Sequence, residues 1–370
     1  MKILRIYFRL PPMPGGMEIH IAELSRIQAG THDVTLAFCL GDNVPHTKSI
    51  RILKGLRWFQ SRARPWTALI FYIFLMSHLW RNKKKFDVIH QHGDWSSFLF
   101  APALQRITGA SKVFFSFHGQ VQNHYWHRVA LPKTLAFCHT LFCTGFDAFS
   151  KLKPFCSAVF QPSGVRHCFL NTEWSEPDSS LLQCVTTSIF RKEKNLLLLL
   201  QIAQQLPQIQ FTILGDGPDF QYIKAKADQM HLKNVTIPGF CNTQAIMQQY
   251  MQSNVYLHVS FQEGTPTTVM EAMAMGMPII AAHAPGLEQI CIPNENGILI
   301  QDGITISQQF VNAINDLLSQ AELRHRFSLN NKRKSREFSW YNIAENIEEA
   351  FISSNNRIEL VAAGHDIDGE

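Results

Sequence analysis

The chain has 370 residues, of which 46% are hydrophobic and 17% charged, enough for two domains of ordinary size and too apolar for a disordered chain. Its net charge of +5 is unevenly placed, with 20 Lys and Arg against 7 Asp and Glu in residues 1–163, and 14 against 22 in residues 164–370. The basic first half points to anionic partners, while the acidic second half disfavours a chain devoted to nucleic acid.

The opening MKILRIYFRLPP is broken by Lys2, Arg5 and Arg9; it is no signal peptide and reads as a first strand. Apolar strand-like runs follow at Lys2–Phe8, Asp33–Leu40, Asp87–His92, Lys112–His118 and Thr140–Thr144, with helical patterns at Met17–Ala29 and Ser96–Ile107. The most apolar stretch, Trp66–Trp80, is shorter than the roughly 20 residues of a spanning helix. It reads as a core-facing helix. The other reading is a helix resting on a membrane surface, helped by Arg81, Lys83, Lys84 and Lys85.

A turn signal at Gln161-Pro162-Ser163-Gly164 and the polar stretch Asn171–Ser180 mark a domain boundary. The alternation then resumes. Strands are expected at Leu182–Ile189, Gln210–Leu214, Val235–Ile237, Val255–Ser260, Pro278–Ala282 and Gly297–Ile300, and helices at Asn195–Gln205, Asp219–Met230, Thr243–Met251 and Thr267–Met275. The expected plan is α/β, with two Rossmann-like doubly wound domains, residues 1–163 and 164–340, whose strand ends face each other across a cleft. A last helix near 341–353 packs back on the first domain in this plan, and residues 354–370 form a loose tail. The eight cysteines show no CxxC pair and no zinc spacing. Most sit in apolar runs such as LAFCL and LLQCV, as reduced core residues of a cytosolic protein do.

The sharpest chemical signal follows strand Val255–Ser260. Gly264 and Pro266 make a tight turn, and Thr267 or Thr268 is placed to cap the next helix, whose free N–H groups and positive dipole end suit a diphosphate. Glu263 precedes that helix and Glu271 lies about one turn into it, so the two acids can hold different hydroxyl-bearing parts of one ligand. In Arg191-Lys192-Glu193-Lys194, basic side chains at a strand end can neutralise a leaving diphosphate; a solvated charge run is the plainer reading. Paired Gly15 and Gly16 before a helix allow a close approach to phosphate, although the segment is not GxGxxG and disfavours a dinucleotide site. His118, ending a strand, can donate a hydrogen bond to a sugar or simply satisfy local backbone. His90, His92 and Asp94 have the spacing of metal ligands, but the two histidines share one strand that runs into a loop, and no metal is expected. His92 and Asp94 are weaker candidates for an acceptor pocket.

Glu263, seven residues, Glu271, then Ala272-Met273-Ala274-Met275-Gly276-Met277-Pro278 resembles the donor-site signature of glycosyltransferase family 4, glycosyl transferases group 1, over nearly the whole chain. The resemblance implies a GT-B fold and a retaining, metal-independent enzyme with no cofactor beyond its nucleotide-sugar donor. It implies Glu263 beside the transferred sugar, Glu271 on the ribose, and backbone of Gly264, Thr265, Pro266, Thr267 and Thr268 on hydroxyls and phosphate. Lys194 matches the family's diphosphate grip. Arg191 matches a variant arrangement, since Ser188 and Ile189 stand where a Gly-Arg pattern is usual. The Gly15–Gly16 loop and His118 match as well, and Gly215-Asp216-Gly217-Pro218 resembles a turn near the nucleotide base. The acceptor is expected to be a glycan or lipid-linked glycan of cell-surface polysaccharide synthesis, such as lipopolysaccharide, capsule or exopolysaccharide. The enzyme is expected in the cytoplasm, with an anionic inner-membrane face as partner for the basic domain. The competing readings are a nucleotide-sugar epimerase of the same fold and a catalytically silent glycan-binding protein. Specificity is expected to rest on loops such as Gln120–Arg128.

Overall fold

The computed structural model describes residues 1–13, 15–53, 65–118, 121, 131–154, 156–177 and 182–353. The predicted tail 354–370 and nearly all of the loop at 120–128 lie outside them. The chain divides into two units, one of Met1–Gly164 with the segment from Trp340 onward, the other Val165–Ser339.

The first unit carries β1 (Lys2–Ile6), α1 (Gly16–Gln28), β2 (Asp33–Phe38), β3 (Lys48–Arg51), α2 (Pro65–Arg81), β4 (Val88–Gly93), α3 (Trp95–Phe98), α4 (Ala101–Thr108), β5 (Lys112–Phe117), α5 (Leu131–Leu135), β6 (Thr140–Cys143), α6 (Phe146–Leu152) and β7 (Ala158–Phe160). Its seven strands are parallel in the order β3-β2-β1-β4-β5-β6-β7. Central strands such as KVFFSF are almost wholly buried, which is why they read as continuous apolar runs rather than alternating ones. The helix expected over Ser96–Ile107 is two helices. Pro102 lies in the first turn of α4, where a missing N–H costs no helical bond, so the chain restarts there.

In α2, Phe71, Tyr72, Leu75 and Leu79 enter the core, one face at helical spacing. The opposite face leaves Leu69, Ile70, Ile73, Phe74 and Trp80 exposed, Phe74 by 52% and Trp80 by 71%. Among the described residues no helix is long and apolar enough to cross a membrane.

The second unit holds α7 (His167–Leu170), β8 (Gln183–Thr187), α8 (Leu196–Gln205), β9 (Gln210–Leu214), α9 (Phe220–Gln229), β10 (Val235–Gly239), α10 (Thr243–Met251), β11 (Val255–His258), α11 (Thr267–Met275), β12 (Ile279–Ala282), β13 (Ile298–Ile300), α12 (Ile306–Ser319) and α13 (Ala321–Ser335). Six parallel strands run β10-β9-β8-β11-β12-β13. The leucine run of α8 joins a core with α12, as its apolarity requires. The final helix α14 (Trp340–Ser353) belongs to the first unit. Trp340, Ile343, Ala344, Ile347 and Phe351 pack with Ile3, Val34, Val88 and Phe114 of the first sheet. Gln28 Nε2 donates to Ala344 O at 3.2 Å, and Lys112 Nζ donates to the carbonyls of Phe351 and Ile352. All eight cysteines are free, and six are buried.

Candidate active site

In both sheets the strand order reverses beside the first strand of the unit, between β1 and β4 and between β8 and β11. Adjacent connections leave in opposite directions at such a point, which opens a crevice beyond the carboxyl ends of the strands. The chemically active side chains emerge at these two places, each within its own unit.

In the second unit, Lys194 follows β8 and Glu263 follows β11, the two strands flanking the reversal. Lys194 Nζ donates to Glu263 Oε1 at 2.6 Å. His258 Nε2, at the end of β11, lies 3.2 Å from the same oxygen. Ser260 Oγ donates to Glu193 O at 3.2 Å and ties the two loops together. Burial pushes the Glu263 carboxyl up, but His258 and Lys194 outweigh it and bring it down to about 2. Glu263 is therefore an anion at neutral pH, an acceptor of hydrogen bonds and no proton donor. Arg191 is not brought to this cluster. It is more than half exposed, and its nearest carboxylate is Glu193 at 3.9 Å.

Glu271 lies on α11 with its side chain nearly buried, and its Oε1 accepts from Arg166 Nε at 2.8 Å. Arg166 also donates to Thr243 Oγ1 at 2.5 Å and lies over the Phe169 ring. Burial raises the Glu271 carboxyl, and Arg166 offsets part of that rise. The expectation that Thr267 or Thr268 caps α11 is corrected: the N-cap is Pro266, with no side-chain cap, and both threonines lie in the first turn. Proline offers no side-chain acceptor, so the first N–H groups of α11 receive no cap from that residue. Thr265 Oγ1 donates to Gly264 O at 2.8 Å.

Gly215 and Gly217 have a clear steric reason. Gly215 has φ +127°, and a Cβ there would lie 1.9 Å from Ser188 O, while one at Gly217 would lie 2.6 Å from Phe190 O. Both glycines let the β9 loop close on the β8 loop that carries Lys194.

In the first unit, Gly15 has φ +153° and precedes α1. A Cβ on Gly15 would lie 2.0 Å from Glu18 Oε2, whereas one on Gly16 would meet nothing within 4 Å. Buried Glu18 pairs with Arg9 at 2.7 Å. Gly15→Ala is therefore expected to lower the melting temperature, by about 1 kcal/mol or more in stability, and Gly16→Ala to leave it unchanged. Equal melting curves for the two variants would contradict this geometry.

His92 at the end of β4 and His118 just past β5 meet, with His92 Nδ1 3.1 Å from His118 Nε2. Thr144 Oγ1 donates to Phe117 O, so it accepts from His118 Nδ1 at 3.3 Å. This order assigns the proton between the rings to His92 Nδ1 and leaves the His92 Nε2 lone pair bare. Burial lowers His118 to about 3 and His90, His92 and His20 well below their ordinary value, helped at the last three by the His118 and Arg5 charges. All four rings are neutral at pH 7. His90 is a structural residue, taking a bond from buried Arg5 and pairing with Ser116. Asp94 is exposed, and its carboxylate caps α3 by accepting from Ser96 N at 3.0 Å.

His20 was not foreseen. It lies on α1, one turn past the glycine pair, with its Nδ1 3.0 Å from Ser163 Oγ and its ring edge-on to His118 and Trp340. The Nε2 atoms of His20 and His92 are buried without hydrogen-bond partners among the described residues, an arrangement that costs about 1–3 kcal/mol for each unsatisfied group. His258 and Arg166 were missed as well. His258 reads as the end of an apolar strand, and the preceding Pro162-Ser163-Gly164-Val165 turn was the only local mark near Arg166.

Residues 14–149 match the family described as Glycosyltransferase Family 4, and residues 181–334 match that described as Glycosyl transferases group 1. Spore coat protein SA of Bacillus subtilis is 32% identical over 137 residues, a match spanning 36% of this chain and only 36% of that relative's length. The phosphatidylinositol N-acetylglucosaminyltransferase gpi3 subunit of Schizosaccharomyces pombe is 23% identical over 95% of this chain and 80% of its own. The Anabaena HepE structure in complex with UDP superposes with a TM-score of 0.75 at 16% identity, over 95% of this chain and all of that one. The two parallel sheets are those of the GT-B fold, and the chain belongs to glycosyltransferase family 4.

Proposed function

We propose that the chain moves a sugar, with retention of configuration, from a nucleotide-diphosphate sugar to a glycan or lipid-linked acceptor in cell-surface polysaccharide synthesis. The observation that carries this reading is the Lys194–Glu263 pair beside the amino end of α11. A cation, an anion and a helix terminus meet there, as a sugar linked to a diphosphate requires. The UDP in the HepE complex supports a nucleotide donor, and the phosphatidylinositol acceptor named for the yeast relative supports a lipid-linked one.

In this reading the bond from the anomeric carbon to the diphosphate breaks through an oxocarbenium-like state. Lys194 and the α11 terminus stabilise the negative charge growing on the leaving phosphate. The acceptor hydroxyl attacks from the same face, and its proton passes to the departing phosphate oxygen. Glu263, held ionised, accepts hydrogen bonds from sugar hydroxyls. Glu271, oriented by Arg166, holds the ribose. In the first unit, neutral His118 accepts from a sugar hydroxyl through Nε2 once the bond from His92 Nδ1 opens. The route uses no cofactor beyond the donor.

The exposed apolar face of α2, followed by Arg81, Lys83, Lys84 and Lys85, supports a peripheral seat on an anionic membrane at the inner face. Flotation with anionic liposomes at low salt is expected to carry the protein, and Phe74→Asp to abolish this; absence of flotation by the unmodified chain would overturn the membrane seat. The transfer itself is tested by nucleotide release over UDP-, GDP-, ADP- and dTDP-sugars, with and without lipid extract. Release that needs the extract supports the reading. An epimer or free sugar formed without acceptor would make the chain an epimerase or hydrolase, and tight donor binding without turnover would make it a silent binder.

A further inference from the structure

We propose that His20, His92 and His118 form a binding site for a borderline-soft divalent cation of the zinc class. The three rings come from α1, β4 and the loop after β5, and one ring nitrogen from each lies within 4.8 Å of the other two. Ring centroids are 4.9 Å apart for His20 and His118, 5.4 Å for His92 and His118, and 5.8 Å for His20 and His92. The three centroids thus form a triangle, with the His92 and His118 planes 27° apart and His20 edge-on to both.

Two features go beyond histidine packing. His20 Nε2 is buried with no hydrogen-bond partner among the described residues, and Nδ1 of His20 and of His118 is already held from behind, as ligating histidines require. Ser163 holds His20 Nδ1, and Thr144 holds His118 Nδ1. In the tautomer whose Nδ1–H goes to Ser163, His20 presents a bare Nε2 lone pair, and the tautomer order above leaves the His118 Nε2 lone pair facing His92 Nδ1. Moving the His92 proton from Nδ1 to Nε2 frees His92 Nδ1, so that it and His118 Nε2, 3.1 Å apart, become the second and third ligands. Zinc–nitrogen bonds of about 2.0–2.1 Å place tetrahedral ligands about 3.3 Å apart, close to the 3.1 Å between His92 Nδ1 and His118 Nε2. No carboxylate belongs to the cluster among the described residues, so the donor set suits Zn²⁺, Co²⁺ or Ni²⁺ and not Mg²⁺ or Ca²⁺. Three imidazoles leave a fourth position open.

The consequence rests on the role proposed above for His118: a cation bound there removes His118 from the sugar and inhibits transfer. Binding is measured first, with Co²⁺ and without any donor. The purified chain is expected to give a one-to-one visible absorption band that Zn²⁺ displaces, and a melting point raised by Zn²⁺. His20→Ala and His92→Gln, each checked for a cooperative melt, are expected to bind at least tenfold more weakly. His231→Ala, an exposed control, is expected to bind normally. No band in millimolar Co²⁺, or affinity in both cluster variants equal to that of the unmodified chain, would overturn the site. Zn²⁺ binding without loss of transfer would leave the site standing and overturn the role of His118.

Discussion

Lys194→Ala and Glu263→Ala are each expected to lower sugar transfer by about 10²-fold or more, the usual cost of removing a preorganised charge-stabilising group. The two side chains share one oxygen, Glu263 Oε1, at 2.6 Å, so neither change is local. Without Lys194, the leaving phosphate loses its cation, and the Glu263 carboxylate keeps His258 at 3.2 Å. Without Glu263, Lys194 is free to move from its place beside α11. The double variant is therefore expected to be little worse than the poorer single variant, because residues acting as a unit are strongly non-additive. The measurement is kcat/KM with the donor and acceptor identified by the nucleotide-release panel. Near-normal turnover in both single variants would defeat the assignment. The same pair sets a pH dependence. A carboxyl lowered to about 2 in the folded chain from an ordinary 4.5 contributes stability that is fully present above pH 4.5 and lost as pH falls toward 2. Glu263→Gln should flatten the acid-side melting curve in that window, and an unchanged slope would count against the buried ion pair.

Legibility in the sequence followed the physics of each element. The central strands were readable because burial on both faces makes them apolar from end to end. The edge strands β3 and β7 were not: KSIR and AVF are short, and β3 buries a single residue. The last helices of the second unit, α12 and α13, were also missed. The buried positions of α13 are Arg324, Phe327, Asn331 and Ser335, correctly spaced for a helix, but three of the four are polar and erase the apolar period. Arg324 is satisfied by Glu176 and two carbonyls, and Asn331 donates to Met277 O, contacts that no periodicity reports. At the site, Glu263, Glu271 and the turn between them were readable because they lie within one loop and helix. Their partners were not, because Arg166 comes from 105 residues away, and His258 differs from a core strand residue only in what it faces.

Gly286→Ala is expected to disable the donor loop although Gly286 has no functional group. It lies in the turn after β12, where a Cβ would stand 1.7 Å from Gly264 O, 2.5 Å from Gly264 C and 3.1 Å from Glu263 O. Backbone atoms cannot swing aside as a flexible side chain can, so the added methyl must displace either the β12 turn or the Glu263–Gly264 segment. Overpacking of this kind costs about 1–3 kcal/mol, which leaves a folded protein with a lowered melting point. The catalytic loss should be larger than that penalty alone implies. Glu263 is held between Lys194 and His258 by contacts of 2.6 and 3.2 Å, and a shift of about 1 Å in a positioned group costs on the order of 10²-fold in rate. Gly303→Ala, where a Cβ meets nothing within 4 Å, is the matched control and should leave both melting and turnover unchanged. Melting curves and kcat/KM for the two variants decide the matter: a Gly286→Ala protein with the turnover of the unmodified chain would mean that the backbone of the Glu263 loop does not need to be held where Gly286 holds it.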